Sequence, residues 1–281
     1  MRKSGNSRPV PRPFLKWVGG KGRLLNELEA RRPSRFRTYH APFLGGGAFY
    51  FHLVRRGLVN PRTAVLSDYD TELITTYRVV RDQVAAVIDH LEQHIYDEGY
   101  FYKIRSLDPA ALTPVERAAR LIYINRVGYN GLIRRNKAGR INTPFGRYDN
   151  PLICDHGNLR ACSDALKLAH LAAWDFEAVL DSARPGDLVY FDPPYLPLTE
   201  TANFTSYTAG GFTEQDQARL AGVFRELAGR GVYCIASNHD VPQVHRLYGG
   251  FRIEQVRVAR PVNSRAGRRG QRVAEAIITS Y

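Results

Sequence analysis

The chain has 281 residues, 44% of them hydrophobic, with 40 Lys+Arg against 27 Asp+Glu and a formal charge of +13. That length suits one large domain or a core with a smaller insert, and the charge favours a polyanionic partner. Three cysteines, none spaced as C-x-x-C, indicate neither a disulfide framework nor a cysteine zinc site, and the lack of a signal-type or membrane-length apolar run points to a reduced, cytosolic protein.

The N-terminus is basic and polar, and its first twelve residues are expected to be mobile. Residues 1–37 hold eleven Lys/Arg against two acids. "RTYHAPF" then predicts a short strand entering the glycine turn "LGGG" at 44–47, followed by a helix over "AFYFHLVRRG". "TAVLSD", 63–68, is a second strand, ending in an acid. From 69 to 125 apolar residues recur at helical spacing, at Ile74, Tyr77, Val80, Val84, Val87, Ile88 and Leu91. Residues 126–148 hold six Lys/Arg and no acid, and over 128–149 the helical period gives way to Gly, Asn, Arg and Pro, as in a hairpin or loop. Strand–helix alternation resumes with "DLVYF", a helix over 213–229 and "VYCIAS". Thr213 with Asp216 three residues on resembles a capping box, and Leu220, Val223, Phe224 and Leu227 share one face. Residues 252–272 hold seven Lys/Arg against one acid. The three basic stretches carry +9, +6 and +6, more than the whole chain, so the positive charge is localised as a nucleic-acid footprint is. The pattern predicts an α/β domain interrupted by a helical insert that ends in a basic hairpin. No internal repeat is visible.

Several motifs bear on chemistry. Gly45–Gly47 follow a strand and precede a helix, a geometry that lets a cofactor approach the backbone, and Asp68 closes the next strand, where an acid accepts from ribose hydroxyls. "WVGGKG" at 17–22 fails as a phosphate loop, because Leu15 stands where the first glycine belongs and Gly22 replaces the Ser/Thr. His90 and His94 lack the glutamate of H-E-x-x-H and read as an exposed helix face; no metal site is expected. The most informative stretch is "GDLVYFDPPYLPLT", 186–199, in which a strand ends on an acid, two prolines and a tyrosine. Asp192 and the Pro193 carbonyl are two acceptors for one amino group, and the prolines hold them rigid. Tyr195 offers a face on which a planar base stacks. Two acceptors draw a conjugated exocyclic amine toward tetrahedral geometry and localise its lone pair, which makes it a nucleophile.

These motifs in this order, "FLKWVGGK" (14–21), "PFLGGG" (42–47), "NRVGYNGLIRRNKAGRINTPFGRY" (125–148), "DPPYLPLTETANFTSYTAGGFT" (192–213) and "SNHD" (237–240), resemble the alpha-group, D12 class amino-methyltransferases that methylate adenine N6 in DNA, and among them the Dam-type methylases acting at GATC. The resemblance covers about residues 13–281. It implies a Rossmann-like methyltransferase sheet, with catalytic parts at 1–67 and 155–281 and a helical target-recognition domain at 68–154 carrying a β-hairpin. It implies S-adenosylmethionine as cofactor, lined by Trp17, Lys21, Phe43, Gly45, Asp68 and Asp192, and catalysis by Asp192, Pro193 and Tyr195 on a flipped adenine. The partner is double-stranded DNA, read or held by Lys16, Tyr129, Asn130, Leu132, Arg134, Pro144 and Arg147, with a monomer expected and association with the nucleoid through DNA. In this scheme Arg134 and Lys16 read guanines, Leu132 and Pro144 meet a thymine methyl, Tyr129 wedges beside Asn130 where the base departs, and Arg147 holds phosphate. Ala41 departs from the pattern, for the family usually has an acid before Pro-Phe, and Asp68 or Asp192 then carries more of that contact. A related adenine methylase with another short site, a DNA-binding homologue without catalysis, and an amino-methyltransferase acting on RNA or protein glutamine are the alternatives.

Overall fold

The computed structural model describes residues 9–17, 19–60, 63–136, 138–196, 212–259 and 272–281. Residues 1–8, residues 197–211 of the extended DPPY match and residues 260–271 of the last basic stretch lie outside the described residues. Seven strands, Tyr39–Ala41 (β1), Ala64–Asp68 (β2), His170–Ala173 (β3), Leu188–Phe191 (β4), Tyr233–His239 (β5), Arg252–Ala259 (β6) and Arg272–Thr279 (β7), form one sheet in the order β3-β2-β1-β4-β5-β7-β6. β2, β1, β4 and β5 run parallel, and β7 pairs antiparallel with both β5 and β6. Helices in chain order are Leu25–Arg31 (α1), Ala48–Arg55 (α2), Thr71–Asp82 (α3), Val84–Glu92 (α4), Glu98–Ser106 (α5), Pro114–Val127 (α6), His156–Leu166 (α7), Val179–Ser182 (α8), Glu214–Gly229 (α9) and Pro242–Leu247 (α10). This is a mixed α/β fold of the Rossmann-like kind that the resemblance implies.

The chain packs as two compact units, Met1–Gly20, Gly45–Arg62 and Asp70–Leu171 in the first, and Lys21–Leu44, Thr63–Tyr69 and Ala172–Tyr281 in the second. The second unit is built on the sheet. β4 is buried along its whole length, the pattern of a central strand covered on both faces. Phe191, Leu220, Phe224, Leu227, Cys234, Tyr248 and Ile278 share its core, so the apolar face read from the sequence of α9 is the face that packs. Thr213 and Asp216 form a full capping box at the start of that helix. The buried start of β4 is satisfied through Asp187, which accepts from Thr38 N at 3.0 Å, Arg184 N at 2.8 Å and His40 Nε2 at 3.1 Å.

The first unit holds α2 to α7 and the segment 128–149. Asp70, Asp97, Thr113 and Asp155 cap α3, α5, α6 and α7 with side-chain acceptors, which marks the helix starts locally. Phe14 is fully buried against Tyr77, with ring centroids 4.9 Å apart. Arg12, inside the stretch expected to be mobile, exchanges backbone bonds of 3.0 Å with both ends of the Asn158 amide and pairs with Asp155. His94 departs from the expected exposed face. It lies beyond the end of α4, stacks on Tyr123 at 4.5 Å and meets the Tyr100 hydroxyl at 2.8 Å, and burial lowers its pKa to about 4.

Candidate active site

β4 ends at Phe191, and the two prolines that follow have no N–H to continue the ladder. Buried side chains from α9 and β5 hold the next backbone groups instead. Gln217 Nε2 donates to the Pro194 carbonyl at 2.7 Å, and the Leu196 N–H donates to Asn238 Oδ1 at 3.0 Å. Asn238 Nδ2 in turn donates to Gln217 Oε1 at 3.2 Å, and His239 Nδ1 donates to the Leu196 carbonyl. Gln217 and Asn238 are each 1% exposed, so the loop is clamped by a closed polar network in the core. The rigidity expected from the prolines is thus supplied by α9 and β5 as well.

Asp192 accepts from Lys21 Nζ at 2.8 Å and from Ser237 Oγ at 3.3 Å, and both bonds fall on Oδ1. Burial pushes the Asp192 pKa up, and Lys21 and Ser237 oppose that rise. Lys21 is itself buried, and its ammonium stands 4.2 Å from the centre of the Tyr195 ring. The Tyr195 hydroxyl donates to Glu275 Oε2 at 3.0 Å, while His239 meets the ring edge-on at 4.9 Å. Burial and the Asp192 charge raise the Tyr195 pKa well above its usual value, so the phenol stays a donor. Pro193 is buried beside them. The second unit thus brings together Lys21, Asp192, Pro193 and Tyr195.

Asp68, also in this unit, ends β2, and its carbonyl accepts from Trp174 N at 3.2 Å. Because β1 lies between β2 and β4, Asp68 and Asp192 close the strands on either side of it at the same end of the sheet. That end, between β1 and β4, is where the chain direction of winding reverses and where ligands of open α/β sheets bind. Ala41 is 4% exposed and pairs with Leu66 between the two acids' strands. Phe43 stacks on Phe176 at 5.4 Å and meets Phe212 edge-on at 5.7 Å. A carboxylate at the end of β2 and an aromatic shelf suit a nucleoside, so the residues fit S-adenosylmethionine. The other two cofactor candidates, Trp17 and Gly45, belong to the first unit. Gly45 has φ +48°, and a Cβ there would meet the Trp17 indole at 2.8 Å, so the glycine lets the turn close onto that ring.

The seven DNA-reading candidates all fall in the first unit. Residues 128–149 fold back through isolated antiparallel bridges, Gly128 with Phe145 and Arg135 with Ile141, in place of a regular two-stranded ribbon. Tyr129 is 52% exposed, Asn130 beside it is exposed with φ +54°, and the Tyr129 N–H donates to the Pro144 carbonyl at 2.9 Å. Leu132 is half-buried, and Pro144 and Arg147 are exposed. Arg134 is exposed; its N–H donates to Thr143 Oγ1 at 3.1 Å and its Nε to Asn142 Oδ1 at 3.2 Å. Arg134 forms no ion pair among the described residues. Lys16 is exposed, lies over the Tyr148 ring at 4.7 Å, and has its pKa lowered by partial burial and by Arg126.

Sequence reasoning missed the residues that hold these groups. Fully buried Asn125 accepts from Lys16 N at 2.7 Å and donates to the carbonyls of Lys16 at 2.8 Å and Gly131 at 2.7 Å. It therefore ties the Lys16 segment to the turn bearing Tyr129. An asparagine directly after the apolar run Leu121–Ile124, near the end of α6, was the available signal. Gln217, Ser237, Asn238 and Glu275 are the corresponding omissions in the second unit. Only Ser237 and Asn238 lay in a quoted motif.

Residues 17–261 match the family described as D12 class N6 adenine-specific DNA methyltransferase. The chain is 38% identical over 278 residues to the Type II methyltransferase M1.LlaDCHI of Lactococcus lactis subsp. cremoris, covering 96% of this chain and 95% of that relative. It is 36% identical over 289 residues to the Type II methyltransferase M.MjaIII of Methanocaldococcus jannaschii, covering 96% and 99%. It is 31% identical over 262 residues to the DNA adenine methylase of Escherichia coli strain K12, covering 92% and 91%. A match over most of the chain, together with relatives aligned nearly end to end, makes the chain a member of the D12 class of N6 adenine-specific DNA methyltransferases.

Proposed function

We propose that the protein transfers a methyl group from S-adenosylmethionine to adenine N6 within GATC of duplex DNA, acting on a base turned out of the stack. The observation that carries this reading is the environment of Lys21. An ammonium already rests 2.8 Å from Asp192 Oδ1 and 4.2 Å from the Tyr195 ring, so the site stabilises a nitrogen bearing positive charge beside an aromatic face. An adenine N6 acquires such a charge as it takes up a methyl.

Asp192 Oδ2 and the Pro193 carbonyl accept the two N6 hydrogens, and Tyr195 stacks on the base. The Gln217–Asn238 network keeps these acceptors from moving as charge develops, which is where preorganised electrostatics act. As the N6–methyl bond forms and the sulfonium–methyl bond breaks to leave a neutral thioether, Asp192 stabilises the positive charge on N6, which N6 then sheds by releasing a proton to solvent. S-Adenosylmethionine supplies the methyl on a sulfonium that needs no further activation. Asp68 holds the ribose hydroxyls, Lys21, Phe43, Trp17 and Gly45 complete the cofactor contacts, and Asp68 or Asp192 carries more of the contact of the acid that Ala41 replaces. Turning out the adenine costs a few kcal/mol, which Tyr129 and Asn130 offset by filling the gap.

GATC is read through Arg134 and Lys16 on the guanines and Leu132 and Pro144 on a thymine methyl, while Arg147 holds phosphate. The exposure of Arg134, which forms no ion pair among the described residues, supports this division. The test is methylation of GATC and its single-base variants at several salt concentrations. Arg134→Ala should cost about 1–3 kcal/mol on the cognate site and relax one guanine position. Arg147→Ala should weaken all duplexes alike and reduce the salt dependence by roughly one phosphate contact. Uniform loss in Arg134→Ala on every variant would make the hairpin a clamp and remove the main support for GATC. The similarity to two Type II methyltransferases favours, as a second reading, a different short adenine-containing site.

A further inference from the structure

We infer that Arg135 is a positioning residue for base reading: its ion pairs with the first turn of α3 fix the hairpin on which Arg134 is carried. The inference rests on the assignment of Arg134 as a base-reading arginine.

The hairpin needs such a device. Its two sides are joined by isolated bridges, and a two-stranded ribbon alone is marginal in water. A side chain that discriminates base edges must be held to within about 0.5 Å. Adjacent residues on an extended segment point to opposite sides. Arg134 turns outward to solvent, and Arg135 turns inward. Arg135 Nη2 lies 2.6 Å from Glu72 Oε2 and 3.4 Å from Asp70 Oδ2, while its Nη1 donates to the Gly139 carbonyl at 3.3 Å. One guanidinium therefore joins the hairpin tip to the helix.

The two acids are themselves immobilised. Asp70 Oδ1 caps α3 by accepting from Glu72 N at 2.9 Å and Leu73 N at 3.1 Å. Glu72 Oε1 pairs at 3.4 Å with Arg120, which is 3% exposed and donates to the carbonyls of Ile104 at 3.0 Å and Arg105 at 2.6 Å. Two arginines face two carboxylates, so the cluster is neutral as a whole and adds no net attraction for phosphate. Its effect is on geometry. Neighbouring arginines in one basic run thus have opposite tasks, a distinction that charge counting does not make.

The experiment compares wild type with Arg135→Gln, Glu72→Gln and Arg135→Lys. It measures kcat/KM on the sequence that the wild type methylates, relative to a duplex altered at one guanine. Arg135→Gln and Glu72→Gln should lower this ratio on the order of tenfold, the scale of a small misplacement of a reading group. Arg135→Lys, which keeps the pair with Glu72, should recover most of it. In Arg135→Gln, hydrogen exchange should quicken at the Asn136 and Asn142 amides, which bond across the hairpin to Arg140 O at 2.9 Å and Arg134 O at 2.8 Å. An unchanged ratio with a salt slope reduced by about one would make Arg135 a phosphate contact and overturn the inference. Unchanged exchange at those amides would overturn it as well, whatever happens to activity. A wild type that methylates a site other than GATC contradicts the GATC reading alone, because the ratio is taken at the sequence it does methylate.

Discussion

Asp192 presents an asymmetric carboxylate, with Lys21 and Ser237 on Oδ1 and Oδ2 directed by the proposal to adenine N6. Asp192→Ala should reduce single-turnover methyl transfer about a hundredfold or more, the scale of losing a main electrostatic stabiliser, and leave specific DNA binding largely intact. Near-wild-type turnover would remove Asp192 from the chemistry. Burial raises the Asp192 pKa and Lys21 lowers it. The ionised form accepts the amine, so the rate should rise with pH through a limb above the usual carboxylate range. Lys21→Gln removes the lowering charge and should move that limb to higher pH. A limb that stays in place, or falls, would contradict the pairing. Asp68→Ala should weaken S-adenosylmethionine binding by about 1–3 kcal/mol in calorimetry, as expected for a lost charge-assisted hydrogen bond. Unchanged affinity would remove Asp68 from the cofactor site.

At the level of elements, what was legible in the sequence was local. The strand leading into Asp192, the glycine turn before α2, the strand ending on Asp68 and the capped α9 each carry their signal within about ten residues. The β6–β7 pair was not legible. Residues 252–272 read as a charge run, and the alternation in "RIEQV" is too short to outweigh it. Yet β7 inserts between β5 and β6 and delivers Glu275 to the Tyr195 hydroxyl, a partner 80 residues away in sequence. Gln217 and Asn238 were illegible for a related reason. Polar residues in α9 and β5 acquire meaning only when the sheet brings both to the backbone after the prolines. The glycine turn allows a direct test. Gly45→Ala adds a Cβ at φ +48° and 2.8 Å from the Trp17 indole. It should cost about 1–2 kcal/mol in backbone strain alone and shift Trp17 fluorescence. An unaltered melting temperature and emission spectrum would contradict the close approach of ring and turn.

Over the whole molecule, the sequence places +6 within residues 126–148, and the structure divides that charge by partner. Arg135 is neutralised by Asp70 and Glu72, and Arg134 and Arg147 stand exposed. The salt dependence of DNA binding should therefore reflect fewer contacts than the count of basic residues. Family membership fixes the reaction as adenine-specific methylation of DNA, and the particular sequence methylated is the part of the account that depends on individual side chains. The direct measurement is to incubate the protein with unmethylated plasmid and S-adenosylmethionine and to map modified bases by direct sequencing. The account predicts N6-methyladenine on both strands of GATC and background elsewhere. Methylation centred on another sequence, or none with folded protein and cofactor present, would contradict it.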